Sequence, residues 1–274
     1  MDWENFVATA IARYTAAALT DRGRKRASNE DAFGYSVEHG VYLVCDGMGG
    51  AAAGEIASAL AIEEVLGLVT QRLDSIRELL AEAQSSESII PQIAREAVAV
   101  ANNAIHSRGE RNPRLSGMGT TLVGLLTGLS EEDPRVWILN VGDSRCYRLR
   151  KGHIEQLSHD HSLVDEQVRM GRMTRAEAAR SPMRNVITRA LGTQSSVTPD
   201  IFEIEVEPGD LFLLCSDGLT RHLTDDRLES ILSTSTPGSG SNPTPLEELC
   251  SCLIHAANKA GGHDNITCLL VHVD

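Results

Sequence analysis

Short apolar runs bounded by polar or glycine-containing turns recur along this chain, and a few longer stretches instead repeat apolar residues at helical spacing. Runs of the first kind predict β-strands, whereas apolar residues three or four apart predict amphipathic helices. Strands are predicted at residues 16–19, 33–37, 41–45, 120–126, 136–141, 146–149, 154–157, 201–206, 211–215 and 266–271. Helices are predicted from Ala51 onward, at 89–106, from Thr224 onward and at 246–259.

Turn residues between these elements predict how the elements connect. Lys151-Gly152 and the stretch "EPGD" at 207–210 each predict a hairpin between the strands on either side. The polar, Met- and Arg-rich insert at 162–184 contains Thr174 followed by Glu177, which is a capping-box pattern. Residues 233–245 have the composition of a flexible linker. The length of 274 residues allows one large domain or two small ones. Because regular βαβ alternation is absent, we predict sheets packed on each other with helices outside.

Composition narrows the class of protein. The formal net charge of −13 argues against a general nucleic-acid binder, since such proteins need a basic surface. No run reaches the roughly 18 apolar residues of a membrane span, and the N-terminus lacks the pattern of a signal peptide, so we expect a cytoplasmic protein without membrane contact. The six cysteines form no CxxC pattern and are expected to be reduced, structural thiols.

Four aspartates stand at the ends of predicted strands. Asp46, Asp143 and Asp217 each follow an apolar run, and Asp264 precedes the last one. If the last strand runs antiparallel to the strands of Asp46 and Asp217, these carboxylates converge at one edge. Converging carboxylates repel one another unless a cation neutralises them, and Mg²⁺ or Mn²⁺ prefers such an oxygen-only site. Any single Asp-Gly can equally be an ordinary turn, and "EPGD" with Asp210 is explained that way.

Eight motifs taken together resemble the PPM/PP2C family of metal-dependent Ser/Thr protein phosphatases, in its compact bacterial form. They occur in the family's order over almost the whole chain: "TDRGRKRASNEDAF", "CDGMGGAAAGEIAS", "GMGTTLVGLL", "NVGDSRCYRLR", "DHSLVDEQVRMGRMT", "VITRALG", "PGDLFLLCSDGLT" and "GGHDNITCLLV". The resemblance implies a single domain over 1–274 with an α+β fold, a four-layer αββα sandwich of two antiparallel β-sheets flanked by helices. It also implies that the insert at 162–184 is a small flap beside the site, which we expect to tune substrate choice.

The same resemblance implies two Mn²⁺ or Mg²⁺ ions at one end of the sandwich. Asp46 matches the carboxylate that bridges both ions, and the Gly47 carbonyl matches a ligand of one of them. Asp217 and Asp264 match ligands of the other ion. Glu30 matches an acidic ligand of the second ion.

The resemblance also implies roles for three further residues. Asp143 matches the acid that, with Asp217, holds a weaker third ion in bacterial members, and Asp31 matches an outer-shell acid acting through water. Arg26 matches the arginine that grips the phosphate, a task that suits the planar guanidinium fork. Arg26 also lies in a basic run with Arg22, Arg24 and Lys25, and such residues usually just face solvent.

The position after Asp46-Gly47 departs from many eukaryotic members. Those members have a histidine there, proposed to protonate the leaving oxygen, whereas this chain has Met48, which cannot donate a proton. Two candidates for the donor stay open, a metal-bound water and His161 at the start of the insert. His39 and His263 are nearby in sequence, but a lone histidine is more often structural.

The implied activity is hydrolysis of phosphoserine and phosphothreonine in proteins, by a metal-activated water that attacks phosphorus directly and without a phosphoenzyme. The expected partners are phosphorylated targets of a Ser/Thr kinase, and the expected state is a monomer. A regulatory module without turnover is one alternative, although Asp46, Asp217 and Asp264 are intact. A two-metal nuclease is another, disfavoured by the net charge of −13.

Overall fold

The computed structural model describes residues 14–49, 53–80, 89–129, 133–235 and 244–274. The strands are β1 (Tyr14–Asp21), β2 (Asp31–Ser36), β3 (Val41–Met48), β4 (Gly119–Thr120), β5 (Leu122–Thr127), β6 (Arg135–Val141), β7 (Arg145–Arg150), β8 (His153–Gln156), β9 (Asp200–Glu205), β10 (Leu211–Cys215) and β11 (Ile266–Val273). The α-helices are α1 (Ala53–Leu80), α2 (Ile89–Arg111), α3 (Leu163–Arg169), α4 (Arg175–Arg180), α5 (Asp217–Thr220), α6 (Asp225–Leu232) and α7 (Leu246–Lys259). None of these described helices is both long and apolar enough to cross a membrane.

Two antiparallel sheets form the centre of the molecule. The first sheet has the strand order β1-β11-β10-β7-β8, and the second has the order β2-β3-β5-β6-β9, with β4 paired to β3. Every pair within them is antiparallel.

Alternate side chains of β3 explain its continuous apolar run. Tyr42 and Val44 are fully buried in the layer between the two sheets, where they meet side chains of the first sheet such as Phe212. Leu43 and Cys45 point the other way and are fully buried against α1 and α2. A strand covered on both faces needs apolar residues at every position, not at every second one.

Three apolar layers separate four layers of secondary structure. Helices α1 and α2 pack on the second sheet, the two sheets pack on each other, and helices α5, α6 and α7 pack on the first sheet. In α1 the buried positions Ala57, Ala61, Val65 and Val69 repeat every four residues, which is one turn of helix. The predicted α+β fold of two antiparallel sheets flanked by helices is confirmed.

The prediction of a hairpin across "EPGD" is wrong. β9 pairs with β6 in the second sheet, whereas β10 pairs with β7 and β11 in the first. The turn is present, since the Asp210 backbone N–H donates to the Glu207 carbonyl at 3.0 Å and Gly209 has a φ of +91°. Asp210 is fully buried and accepts two hydrogen bonds from Arg150, at 2.7 and 2.6 Å. This ion pair anchors the turn where the chain crosses between the sheets.

Other predicted elements differ in detail. The hairpin across Lys151-Gly152 is confirmed, and both residues have the positive φ of a tight two-residue turn, +52° and +80°. The strand predicted at 120–126 is interrupted at Thr121, which binds the end of β3 instead of continuing a ladder. The capping box is present on α4, within a flap of two short helices. Ala51 and most of the predicted linker, 236–243, lie outside the described residues.

Candidate active site

Both sheets deliver acidic residues to one end of the sandwich. Asp46 lies near the end of β3 in the second sheet, opposite Asp31 in the register of β2. Asp217 follows β10 in the first sheet as the first residue of α5, and Asp264 precedes β11. The predicted antiparallel arrangement holds for β10 and β11. It is wrong for β3, which belongs to the other sheet, so the acids meet between two sheets and not along one edge.

A cavity of about 410 Å³ opens at this end of the sandwich. It brings together six residues that the sequence analysis singled out: Arg26, Glu30, Asp46, Gly47, Asp217 and Asp264. Met48, Gly49, Asn185, Ile187 and Arg221 complete its described lining.

The backbone at Asp46 is held firmly on both sides. Its N–H donates to the Thr121 hydroxyl at 2.9 Å, and its carbonyl accepts from the Thr120 hydroxyl and the Thr121 N–H, both at 2.9 Å. The next N–H, from Gly47, donates to the Glu30 carbonyl at 3.1 Å. A Cβ at position 47 would lie 2.2 Å from the Gly54 carbonyl oxygen, so only glycine fits where these backbones meet.

Burial and mutual repulsion dominate the electrostatics of the acids. The pKa of Asp46 is raised well above the usual range, first by desolvation and then by the charges of Asp31, Asp217, Asp143 and Asp264. Desolvation, followed by the charge of Asp143, raises the pKa of Asp217 to about 8, although Arg221 opposes the shift. Such a cluster favours protons or cations in its midst.

Asp31 anchors a buried polar network behind the cavity. Its Oδ2 accepts hydrogen bonds from the hydroxyls of Ser216 and Thr267, each at 2.7 Å, and Thr267 exchanges a further bond with Thr20. Its Oδ1 is buried without a hydrogen-bond partner among the described residues. Burial raises the pKa of Asp31 to about 6. Asp31 does not line the cavity itself.

Two arginines reach into the acidic cluster. Arg26 forms a two-pronged contact with Asp264, through Nε at 2.8 Å and Nη2 at 2.9 Å, while its side chain stays about half exposed. Arg221 pairs with Asp217 and lies 3.3 Å from Asp264. Sequence reasoning missed Arg221; the only signal was its position four residues after Asp217, which places both on one face of a helix.

With these arginine contacts, no three of the described His, Cys, Asp or Glu side chains are close enough together to hold a metal ion. The donor set nevertheless fits hard divalent cations. Asp31, Asp143 and Asp217 each have a buried Oδ1 without a hydrogen-bond partner in the described part of the chain. A buried carboxylate oxygen without a partner destabilises the fold, and a bound cation would supply the missing partner. The atoms that these acids offer to a metal are carboxylate oxygens, the ligand type that Mn²⁺ and Mg²⁺ prefer.

Asp143 lies in the connection from β6 to β7, which crosses from the second sheet to the first. It is beside the cavity of about 410 Å³, called the catalytic cavity below because it holds the predicted ligands. It lines a neighbouring cavity of about 240 Å³ that shares Asp217 with the first. Burial raises the pKa of Asp143 to about 6, with a smaller contribution from Asp160. The hydroxyl of Ser144 contacts that of Thr121 at 2.7 Å, so the crossover is tied to the segment that holds Asp46.

The structure does not support His161 as a proton donor to the leaving group. Its side chain is fully buried, lines neither cavity, and accepts the Gly142 N–H on Nδ1 at 3.1 Å. The ring proton is therefore on Nε2, which lies 3.1 Å from Asp200. The His161 backbone N–H also donates to the Gly142 carbonyl, so His161 bonds to both backbone polar groups of Gly142, the residue before Asp143.

No described histidine lines the catalytic cavity. His39 bonds to Ser36 and Asp74 at the β2–β3 turn, and His263 stacks on His222 with ring centroids 5.1 Å apart. Met48 does line the cavity, at the position where many eukaryotic members have a histidine.

A sequence model of the family "Protein phosphatase 2C" matches residues 20–250. The chain belongs to the protein phosphatase 2C family. The serine/threonine phosphatase stp of Listeria monocytogenes is 37% identical over 258 residues, which cover 93% of this chain and 94% of the relative.

Solved structures of the family share the fold. The serine/threonine phosphatase PstP of Mycobacterium tuberculosis has a TM-score of 0.80 at 33% identity, covering 95% of this chain and 99% of that one. The catalytic domain of PstP in complex with two manganese ions has a TM-score of 0.76 at 33% identity, with the same coverage. The predictions of fold and of a protein phosphatase are confirmed.

Proposed function

We propose that this protein phosphatase 2C family member hydrolyses phosphoserine and phosphothreonine in proteins, with two bound Mn²⁺ or Mg²⁺ ions. One observation carries the proposal: Asp46, Asp217, Asp264, Glu30 and Arg26 line a single cavity that opens to solvent. Oxygen ligands for divalent cations and a guanidinium for phosphate are thereby placed side by side, as phosphoryl transfer requires. The manganese ions bound to PstP support the metal dependence.

The ligand assignment follows the lining of the cavity. Asp46 would be shared by the two ions, and the Gly47 carbonyl, Glu30, Asp217 and Asp264 would supply the other ligands. When bound, the ions supply an activated water near neutral pH and neutralise charge on the phosphate. Asp46 is suited to bridge because the Thr120 and Thr121 hydrogen bonds fix its backbone. Asp143 and Asp217, which share the neighbouring cavity, would hold a weaker third ion.

Arg26 would bind the phosphate of the substrate. Its guanidinium is about half exposed at the cavity, and Asp264 fixes it there with two hydrogen bonds. Arg221 lines the same cavity and adds a second donor group. Since no described histidine is placed to protonate the leaving oxygen, we propose that a water supplies this proton.

The substrates would be phosphoproteins made by a cytoplasmic Ser/Thr kinase, and the enzyme would act on them as a monomer. The name of the Listeria relative, a serine/threonine phosphatase, supports this class. The flap of α3 and α4 is followed directly by Asn185, which lines both cavities, and the flap would influence substrate choice. Exchange of residues 162–184 for another family member's flap is expected to change peptide preference.

Hydrolysis of p-nitrophenyl phosphate tests the proposed activity. Turnover is expected with Mn²⁺, is expected to vanish with excess chelator, and is expected to return when Mn²⁺ is restored. D217N is expected to lose most of it, because Asp217 is the acid shared by both cavities. Activity that is absent with Mn²⁺, or that survives both chelation and D217N, would reject the metal-phosphatase proposal.

His161 gives a sharper prediction as a positioning residue. H161N keeps an acceptor near the place of Nδ1 for the Gly142 N–H, whereas H161Q moves its amide to the place of Nε2 and leaves that buried donor unpaired. We expect H161Q to raise the Mn²⁺ concentration for half-maximal activity about tenfold, as loss of an outer-shell contact does, and H161N to raise it much less.

Calorimetric titration with Mn²⁺ would measure the same difference without turnover. Equal affinities in H161N and H161Q would show that the Gly142 contact does not position Asp143. A pH–rate profile that loses one limb in both variants would instead support His161 as a proton donor.

A further inference from the structure

The flap is basic in an otherwise acidic protein. Residues 162–184 contain five arginines and three acids, while the whole chain has a net charge of −13. Within the described structure only one of the five, Arg169, has an acidic partner, Asp165 at 3.2 Å. The other four are exposed and have no acidic partner among the described residues: Arg172, Arg175, Arg180 and Arg184.

Two of these four arginines, Arg175 and Arg184, line the cavity of about 240 Å³ beside the catalytic one. The two cavities share Asn185, Asp217 and Arg221, so a peptide whose phosphate lies in the first extends directly into the second.

The acids in the second cavity are already matched. Asp160 receives three hydrogen bonds from Arg145, between 2.6 and 3.1 Å. Asp165 pairs with Arg169 and Asp217 pairs with Arg221. The remaining acid, Asp143, belongs to the catalytic carboxylate cluster. The positive charge left without a partner in this cavity is therefore that of Arg175 and Arg184.

One part of the cavity wall is aliphatic. Val164, Val168, Ala178 and Ala179 come from the flap helices α3 and α4 and lie beside the guanidinium groups. A side chain with an apolar stem and an anionic tip fits such a wall, since the stem packs on the aliphatic residues while the tip meets the arginines. Guanidinium binds carboxylate and phosphate alike in a two-pronged geometry, but a phosphorylated side chain carries a charge of about −1.5 to −2 and three acceptor oxygens, which suits a pair of arginines better than a single carboxylate does.

We propose that this second cavity binds a second phosphate group of the same substrate, so that the enzyme prefers phosphoproteins phosphorylated at two nearby residues. The inference rests on the proposed function and names its substrate class. The catalytic cavity takes the phosphate that is hydrolysed, and Arg175 and Arg184 hold the one that is kept.

A peptide series with a fixed phosphothreonine tests this preference. Each peptide has one variable position, either two residues before or two residues after the phosphothreonine. That position carries Glu, Gln, Lys or a phosphonate analogue of phosphoserine that cannot be hydrolysed. The wild-type kcat/KM is expected to be roughly fivefold or more higher with the phosphonate than with Gln at one of the two positions, as about 1 kcal/mol from exposed ion pairs implies. Glu is expected to fall between Gln and the phosphonate, and Lys below Gln.

Two double variants remove equal charge from the same flap. In R175Q/R184Q the ratio of phosphonate to Gln is expected to fall within about twofold of unity, since the ion pairs worth that 1 kcal/mol are lost. In R172Q/R180Q, whose arginines lie outside the cavity, the ratio and the hydrolysis of p-nitrophenyl phosphate are expected to stay at wild-type values. Because each ratio is taken within one variant, a partial loss of folded enzyme does not change it.

The possible results separate the two proposals. No preference in the wild type, or an equal loss in both double variants, would overturn the second phosphate site. A higher kcat/KM with Glu than with the phosphonate would replace it by a carboxylate site. Absence of Mn²⁺-dependent hydrolysis of every peptide and of p-nitrophenyl phosphate would instead overturn the proposed function.

Discussion

Replacement of Asp46 by asparagine is expected to lower kcat by more than about a hundredfold, because one oriented charge at a reacting centre is worth about 10²–10³ in rate. Asparagine keeps the size of the side chain but loses the charge that would bridge two cations. In excess chelator the same variant is expected to unfold at a higher temperature than the wild type. The reason is that burial and four neighbouring carboxylates disfavour the ionised Asp46.

The matched control is D74N, which makes the same chemical change at an exposed position of α1 whose carboxylate contacts His39. It is expected to leave both the rate and the unfolding temperature in chelator close to wild type. If D46N keeps Mn²⁺-dependent turnover within tenfold, Asp46 is not a shared ligand. If D46N is less stable than wild type in chelator, repulsion among the acids is not the dominant effect.

The metal-free protein is expected to lose stability as the pH rises from about 4 to 8. Burial raises the pKa of Asp31 and of Asp143 to about 6 and that of Asp217 to about 8, so the folded protein holds protons that the unfolded chain has released. The contribution of these carboxyl groups to the free energy of unfolding is fully present below their pKa in the unfolded chain. It is lost as the pH rises through their pKa values in the folded protein. A raised pKa near 6 in one buried aspartate corresponds to roughly 3 kcal/mol of unfolding free energy.

Chemical denaturation in chelator at a series of pH values would measure this loss. Asp21 and Asp200 have lowered pKa values, so their contributions change only below about pH 4, outside the window. The lowered pKa values of His161 and His222 oppose the trend below about pH 6.5, so the loss of stability is expected to be clearest between about pH 6.5 and 8. Mn²⁺ is expected to reverse the trend, since metal ligands must be deprotonated and binding strengthens as the pH rises. A flat or rising stability in chelator over this range would contradict the assignment of protons to the cluster.

The position of the acids was predictable from the sequence because each one interrupts or borders an apolar run. An apolar strand that ends in a carboxylate and glycine is visible without any structure at Asp46 and Asp217, and Asp264 stands just before the last apolar run. Asp46, Asp217 and Asp264, which this pattern singles out, line one cavity in the structure, whereas Arg26, Glu30 and Gly47 were predicted only from the family resemblance.

The partition of strands between the sheets was not predictable. A turn such as "EPGD" has the same local pattern whether its strands pair or diverge, and the buried contact of Asp210 with Arg150 joins residues 60 positions apart. Arg221 gave no distinct signal, because its contact with Asp264 depends on how α5 and β11 meet. His161 was predicted from its chemistry alone, which gave no sign that its side chain is fully buried and accepts the Gly142 N–H.

The acids of the catalytic cavity come from opposite sheets, Asp46 from one and Asp217 from the other. Their separation is therefore set by the thickness of the apolar filling between the sheets, where Tyr42 and Phe212 are fully buried. Interiors are packed as densely as organic crystals, so a side chain altered by one methylene moves its surroundings. The apolar side chains between the sheets therefore set the distance between the acids. We expect substitutions in this layer to change metal affinity before they lower the stability of the fold.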